Sequence, residues 1–104
     1  MELRVLNYFV ATAQELNMTR AAQKLLVSQP ALSRQIADLE DELGVKLFNR
    51  QPRHLTLTPA GQYLYEQAKE ILTLASKTKS NLQSSAVISG DLTIAAGESF
   101  AMQR

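Results

Sequence analysis

The sequence contains no cysteine and no tryptophan, and only one histidine. Without a thiol the chain can form no disulfide, ligate no metal through sulfur and offer no cysteine nucleophile. His54 has no neighbouring ligand residues, so we interpret it as a residue of a surface turn and expect no metal site. The absence of cysteine fits a reducing compartment, and we expect the protein to be cytoplasmic.

The sequence also lacks any long apolar run, although hydrophobic residues make up 45% of its 104 residues. We therefore expect neither a signal peptide nor a membrane-spanning segment, and no membrane partner. It has no paired carboxylates with a base, no nucleophile with an evident histidine partner and no glycine-rich phosphate loop after a strand. These absences predict a protein that is not an enzyme, with no catalytic residue and no bound cofactor.

Charge is nearly balanced over the whole chain, at a net +1, but it is unevenly distributed. Acidic residues crowd positions 38–42, whereas only two glutamates lie between Leu43 and Lys79. The basic residues of that segment are Lys46, Arg50, Arg53, Lys69, Lys77 and Lys79. The second half is therefore locally basic, which favours a polyanionic partner, although any one lysine alone is more simply a solvated surface charge.

Apolar residues three or four positions apart predict three helices in the first 44 residues. The first ends near Leu16; Thr19 is the predicted N-cap of a short second helix. Ser28 is the predicted N-cap of the third, where Pro30 fits the first turn, and Gly44 should end it in a left-handed conformation. The predicted buried face of the third helix comprises Leu32, Ile36, Leu39 and Leu43.

After Gly44 the pattern alternates in residues 47–50 and 54–57, which predicts a two-stranded hairpin turning at residues 51–53. Thr58 and Pro59 then give a strong start signal for a fourth helix. That helix carries an apolar seam with steps of three and four residues, typical of a helix packed lengthwise on another. We predict that it pairs with a second copy of the chain, the alternative being that it folds back on its own domain. The predicted dimerisation residues are Leu64, Ala68, Ile71, Ala75, Thr78 and Leu82.

Beyond Leu82 the residues become small and polar, and Leu92, Ile94 and Ala96 then alternate as in a short strand. One strand cannot form a domain, so we expect these residues to open a second domain of a longer protein. The predicted organisation is a first domain at 1–58, a linker and dimerisation helix at 59–87, and a hinge with a first strand at 88–104.

Two short helices joined by a tight turn and followed by a hairpin are typical of a fold that inserts a helix N-terminus into the DNA major groove. Opposite the predicted buried face, Arg34 can bond guanine, Gln29 can bond adenine, and Ser33 can reach a base or a phosphate. The alternatives are an ordinary exposed arginine at position 34 and plain helix-terminus polar groups at 29 and 33. The acids later in this helix should keep its second half away from phosphates.

Three stretches strongly resemble LysR-type transcriptional regulators: residues 19–22, residues 27–33 (Val-Ser-Gln-Pro-Ala-Leu-Ser) and residues 47–50 (Leu-Phe-Asn-Arg). Leu-Thr-Pro-Ala-Gly at 57–61 extends the resemblance along the chain. It implies a mainly α fold: a winged helix-turn-helix of three helices and a two-stranded wing, then a long dimerisation helix. An effector domain of periplasmic-binding-protein type should follow, with 90–94 as its first strand.

The resemblance also implies partners and site residues. The partners would be double-stranded DNA and a second copy of the chain, with tetramers when the protein is full length. A small-molecule inducer would bind the effector domain, and no cofactor is expected in the present chain. The implied DNA-binding residues are Thr19, Gln29, Pro30, Ser33 and Arg34 in the helices, and Arg50 and Arg53 around the wing.

Two other interpretations stay open from the residues alone. Arg50 can instead hold the hairpin onto the third helix through Glu40 or Asp41. The whole chain can instead be a small coiled-coil module that binds a protein, which the seam fits well. The basic wing and the face from Gln29 to Arg34 argue against that module, and salt-dependent binding to duplex DNA distinguishes the two functions.

Overall fold

The computed structural model describes residues 1–52 and 54–84 of the chain. The elements in this part are α1 (Leu3–Glu15), α2 (Met18–Leu25), α3 (Gln29–Leu43), β1 (Phe48–Gln51), β2 (His54–Leu57) and α4 (Pro59–Gln83). Strands β1 and β2 form an antiparallel hairpin in which Phe48 pairs with Leu57 and Gln51 with His54. The predicted fold class, mainly α with a two-stranded wing and a long last helix, is confirmed. Arg53 and the predicted hinge and strand at 88–104 lie outside the described residues.

Three of the predicted helix ends are confirmed by their hydrogen bonds. Ser28 Oγ accepts a bond from the Ala31 amide at 3.2 Å, which caps α3. Gly44 ends α3 with φ of +71°, in the left-handed region that glycine adopts at little cost. Thr58 Oγ1 accepts a bond from the Gly61 amide at 2.9 Å and caps α4. Local capping chemistry therefore sets where α3 begins and ends and where α4 begins.

The predicted cap of α2 is wrong by two residues. Asn17 holds the extended backbone that a capping residue needs, and its Oδ1 accepts a bond from the Arg20 amide at 2.8 Å. Thr19 consequently lies inside the first turn of α2. The chain turns earlier than predicted because Leu16 adopts a left-handed conformation with φ of 49° and ends α1 there.

The core lies where α1, α2, α3 and the hairpin meet. Phe9 and Phe48 bring their rings to 5.5 Å in a tilted arrangement, which joins α1 to the start of β1. The largest fully buried side chains are Phe9, Leu6, Leu32, Ile36, Leu39, Leu47 and Thr12. The prediction that Leu43 is buried is wrong, since it is 38% exposed at the last residue of α3, where the chain leaves the helix through Gly44.

The start of α4 is fixed against β1 through Leu47. The Thr58 amide donates to Leu47 O at 3.0 Å, and Thr58 Oγ1 donates to Lys46 O at 2.6 Å. Gly61 packs so closely on the same carbonyl that a Cβ atom there would lie 2.0 Å from Leu47 O. Only glycine, which has no Cβ atom, allows α4 and the backbone at Leu47 to approach this closely.

Helix α4 crosses the boundary between two compact units, Met1–Leu72 and Thr73–Arg104, and only its last residues and Ser84 are described in the second unit. In the first unit Gly61 and Ala68 are buried, and Leu64 and Leu72 pack against the core. One side of this part of α4 therefore packs on its own domain. Within the described residues no helix combines the length and the apolar character needed to cross a membrane.

Candidate nucleic-acid interface

The N-terminal end of α3 presents the predicted polar face to solvent. Gln29, Pro30 and Arg34 are exposed and Ser33 is half-buried. Gln29 Nε2 donates to Ser33 Oγ at 3.2 Å, so the two side chains lie together on successive turns. The structure thus brings the four predicted α3 site residues to one end of one helix.

Arg34 differs from the basic residues of α2 in its ion pairing. In residues 1–52 and 54–84 no carboxylate lies within ion-pair distance of its guanidinium. Arg20 and Lys24 on α2, by contrast, both approach Glu15, at 3.6 and 3.8 Å. The planar fork of Arg34 is therefore free to bind an acceptor outside the chain.

Charge divides α3 into two halves. Arg34 lies in the N-terminal half, whereas Asp38, Asp41 and Glu42 are exposed in the C-terminal half. Glu42 Oε2 also accepts a bond from the amino group of Met1 at 2.7 Å. A polyanion that approaches α3 is attracted to its first turns and repelled by its last ones.

Thr19 is exposed in the first turn of α2. The first amide groups of a helix have no partner within the helix, and one of them, at Arg20, is bonded by Asn17. Thr19 is therefore placed beside amides that can meet an anion, even though it does not cap the helix as predicted.

The wing carries Arg50 in a specific ion pair. Its Nη2 lies 3.2 Å from Glu40 Oε1, and its side chain stays 43% exposed. Of the two roles that the sequence left open for Arg50, the structure shows the bond to α3 through Glu40. The predicted DNA contact of Arg50 remains a prediction, and the predicted contact of Arg53 lies outside the described residues.

The sequence named Glu40 only as one of two possible partners of Arg50, and its bonds to backbone amides were not predicted. Glu40 is only 3% exposed, and its Oε2 accepts from the amides of Leu47 at 2.7 Å and Phe48 at 3.3 Å. Lys46 Nζ lies 3.9 Å from Oε1. In the sequence Glu40 looked like one of four surface acids, but its position four residues after Ile36 puts it on the buried side of α3. Glu40 therefore ties α3 to the wing.

The predicted dimerisation residues on α4 differ in how far their side chains are exposed to solvent. Ala68 is fully buried in the chain's own core, so its side chain has no surface to offer a second helix, and we remove it from that set. Ile71 is 37% exposed and Leu82 is 55% exposed. Leu74, which the seam did not include, is 66% exposed. Apolar surface thus remains along α4 for the pairing that the seam predicts.

Comparisons with known proteins agree with this architecture. The model of the bacterial regulatory helix-turn-helix protein, lysR family, matches residues 3–62. The regulator BudR of Klebsiella aerogenes is 55% identical over 75 residues, which cover 72% of this chain and 52% of BudR. The regulator CysL of Bacillus subtilis is 42% identical over 93 residues, 88% of this chain and 31% of CysL.

A solved structure extends the likeness to three dimensions. A crystal structure of the BenM DNA-binding domain with benA site 1 DNA has a TM-score of 0.81 and 43% identity, and the match covers 86% of this chain and 99% of that one. The chain spans about a third to a half of the length of CysL and BudR. From the family match over more than half of its residues, the chain belongs to the LysR family of bacterial regulatory helix-turn-helix proteins.

Proposed function

We propose that the chain is the DNA-binding part of a LysR-type transcription regulator, which inserts the N-terminal end of α3 into the major groove. The observation that carries this proposal is the exposed face of Gln29, Ser33 and Arg34, with an arginine that no carboxylate in the described residues engages. The acids at the other end of α3 limit the insertion to the first two turns. The proposal is supported by the similar fold of the BenM DNA-binding domain, which was crystallised with benA site 1 DNA.

The roles of the other site residues follow from this orientation. Pro30 packs against base edges beside Gln29, and Thr19 binds a phosphate at the start of α2. The exposed part of the Arg50 guanidinium, together with Arg53, binds the backbone or the minor groove next to the wing. The protein acts in the cytoplasm without catalysing a reaction, as expected for a regulator.

The proposed organisation keeps the predicted boundaries at 1–58, 59–87 and 88–104. Helix α4 pairs two copies through Leu64, Ile71, Ala75, Thr78 and Leu82, so that two α3 helices read a two-fold related operator. An effector domain, to which 88–104 contribute the hinge and first strand, binds a small-molecule inducer and permits tetramers.

Replacing Arg34 with alanine should relax sequence preference at one base position in each half-site. A bidentate contact to guanine contributes about 1–3 kcal/mol of discrimination, so the preference should fall roughly five- to a hundredfold. Affinity for unrelated duplexes should fall much less. The measurement is a selection of random duplexes by the wild-type and variant chains, compared base by base.

Arg4→Ala is the matched control for this selection. It removes the same charge from an exposed arginine of α1 that pairs with Glu2, and it should leave the selected sequences unchanged. An Arg34→Ala variant that loses affinity equally for every duplex would place Arg34 on a phosphate. A wild-type chain with no sequence preference would contradict the proposed function itself.

Replacing Ile71 with aspartate should weaken dimerisation by at least about tenfold, because an unpaired charge would be desolvated at the centre of the seam. In the single chain Ile71 is 37% exposed, so the aspartate stays hydrated in a monomer and the fold should persist. Sedimentation at micromolar concentration measures the change. Thr73→Asp, an exposed position off the seam, should leave the dimer intact. A wild-type chain that sediments as a monomer would refute the predicted interface.

A further inference from the structure

Leu26, in the turn between α2 and α3, is the most exposed of the large hydrophobic residues in the described part of the chain, at 91%. Its neighbours behave differently, since Leu25 and Val27 are partly buried and pack against the core. The side chain of Leu26 therefore projects into solvent between two residues that point inward. Nothing in the packing of the described chain requires an apolar residue at this position.

A leucine at position 26 also carries backbone strain. Leu26 adopts φ of 60° and ψ of 41°, a left-handed conformation that disfavours residues other than glycine and asparagine. The turn itself is held by backbone bonds alone, from the Leu26 amide to Gln23 O at 3.2 Å and from the Val27 amide to Ala22 O at 3.0 Å. A glycine or an asparagine would form the same turn with less strain. A strained and exposed leucine indicates a function outside the fold.

The position of Leu26 next to the start of α3 indicates the kind of group that its side chain can contact. It lies three residues before Gln29, so the two Cα atoms are at most about 11 Å apart. If the first turn of α3 enters the major groove, as the proposed function requires, Leu26 lies at the edge of the same groove. An isobutyl group gains nothing from phosphates, and the apolar group that DNA displays in the major groove is the thymine methyl.

We propose that Leu26 is a specificity-determining residue that contacts the 5-methyl group of one thymine in each half-site. The inference rests on the proposed function and adds a residue from the turn to the reading face. Because the contact is apolar and involves a single methyl, it should contribute about fourfold in affinity, the value of one buried methyl group. It should be insensitive to salt, unlike the contacts of the basic residues.

The test uses deoxyuridine, which differs from thymidine only in lacking that methyl group. A preferred duplex is first selected with the wild-type chain, and its thymines are then replaced by deoxyuridine one at a time. One replacement in each half-site should weaken wild-type binding about fourfold and should leave binding by Leu26→Asn unchanged. Leu26→Asn should also raise the melting temperature by a few degrees, since asparagine tolerates the left-handed conformation.

Leu16→Asn is the matched control, because Leu16 is the other leucine with positive φ, at the end of α1. It should keep the wild-type response to deoxyuridine. Leu16 is only 40% exposed, against 91% for Leu26, so this replacement also removes packed apolar surface and is not expected to raise the melting temperature. If Leu26→Asn responds to every deoxyuridine as the wild type does, or if no replacement weakens wild-type binding, the inference is overturned while the proposed function stands. If the wild-type chain selects no sequence, the proposed function fails and the inference fails with it.

Discussion

Replacing Gly61 with alanine should destabilise the chain by about 3 kcal/mol, the upper end of the usual cost of overpacking. The new Cβ would lie 2.0 Å from Leu47 O and 3.0 Å from Leu57 Cδ2. The carbonyl cannot move aside easily, because it accepts the Thr58 amide at 3.0 Å where α4 begins. Either that bond breaks or the start of α4 moves away from β1.

Helix propensity alone predicts the opposite sign for this substitution. An alanine inside a helix is about 1 kcal/mol more favourable than a glycine. If helix propensity alone acted at position 61, Gly61→Ala would therefore stabilise the chain. Urea unfolding followed by far-ultraviolet circular dichroism distinguishes the two predictions. Protein concentration must be held constant, because the proposed dimer would make the midpoint depend on it.

Gly44→Ala is the control, since it adds the same methyl group in a different setting. Nothing lies within 4 Å of the Cβ position at Gly44, but φ is +71°. Alanine there meets only the backbone cost of the left-handed conformation, about 1 kcal/mol. The expected order of stability is therefore wild type, Gly44→Ala, Gly61→Ala. A Gly61→Ala chain as stable as the wild type would contradict the close packing of α4 on β1.

Gly61 also illustrates what the sequence could and could not predict about the fold. Ser28 and Thr58 accept from amides three positions away, and Gly44 takes a left-handed conformation, so local signals revealed the ends of α3 and the start of α4. Gly61 lies three residues before Leu64, so it also fits the spacing of the seam, and only the position of Leu47, fourteen residues earlier in the chain, reveals its role. The wrong cap at Thr19 has a similar cause. Asn17 and Thr19 are both good capping residues, and α2 begins after Asn17 because the chain already turns at Leu16.

The candidate site was predictable in the part that depends on one helix. The spacing of Leu32, Ile36 and Leu39 fixes the buried side of α3, and Arg34 follows on the other side. The wing was less predictable, because the role of Arg50 depends on which acid of α3 turns inward. Charge pattern could not separate Glu40 from Asp41, whereas burial separates them clearly.

Replacing Glu40 with alanine should destabilise the chain by about 3 kcal/mol, mainly because two buried backbone amides lose the carboxylate that accepts from them. The loss has two sources. The amides of Leu47 and Phe48 lose their acceptor in a buried position, where an unsatisfied donor costs about 1–3 kcal/mol. Arg50 also loses its carboxylate partner, but it is 43% exposed and can turn to water. The amide bonds should therefore account for most of the effect.

Three variants separate these contributions by urea unfolding. Asp41→Ala removes an exposed acid from the next position of α3 and should change stability by no more than about 0.5 kcal/mol. Arg50→Ala should cost less than Glu40→Ala, because Glu40 keeps both amide donors when the arginine is removed. Glu40→Gln should fall between Arg50→Ala and Glu40→Ala in stability, since its amide oxygen can still accept from Leu47 while its NH₂ group faces the arginine.

If Arg50→Ala proves as costly as Glu40→Ala, the ion pair rather than the amide bonds holds β1 on α3. In that case any DNA phosphate that draws Arg50 away from Glu40 would loosen the wing, and DNA binding by Arg50 would come at the expense of the fold.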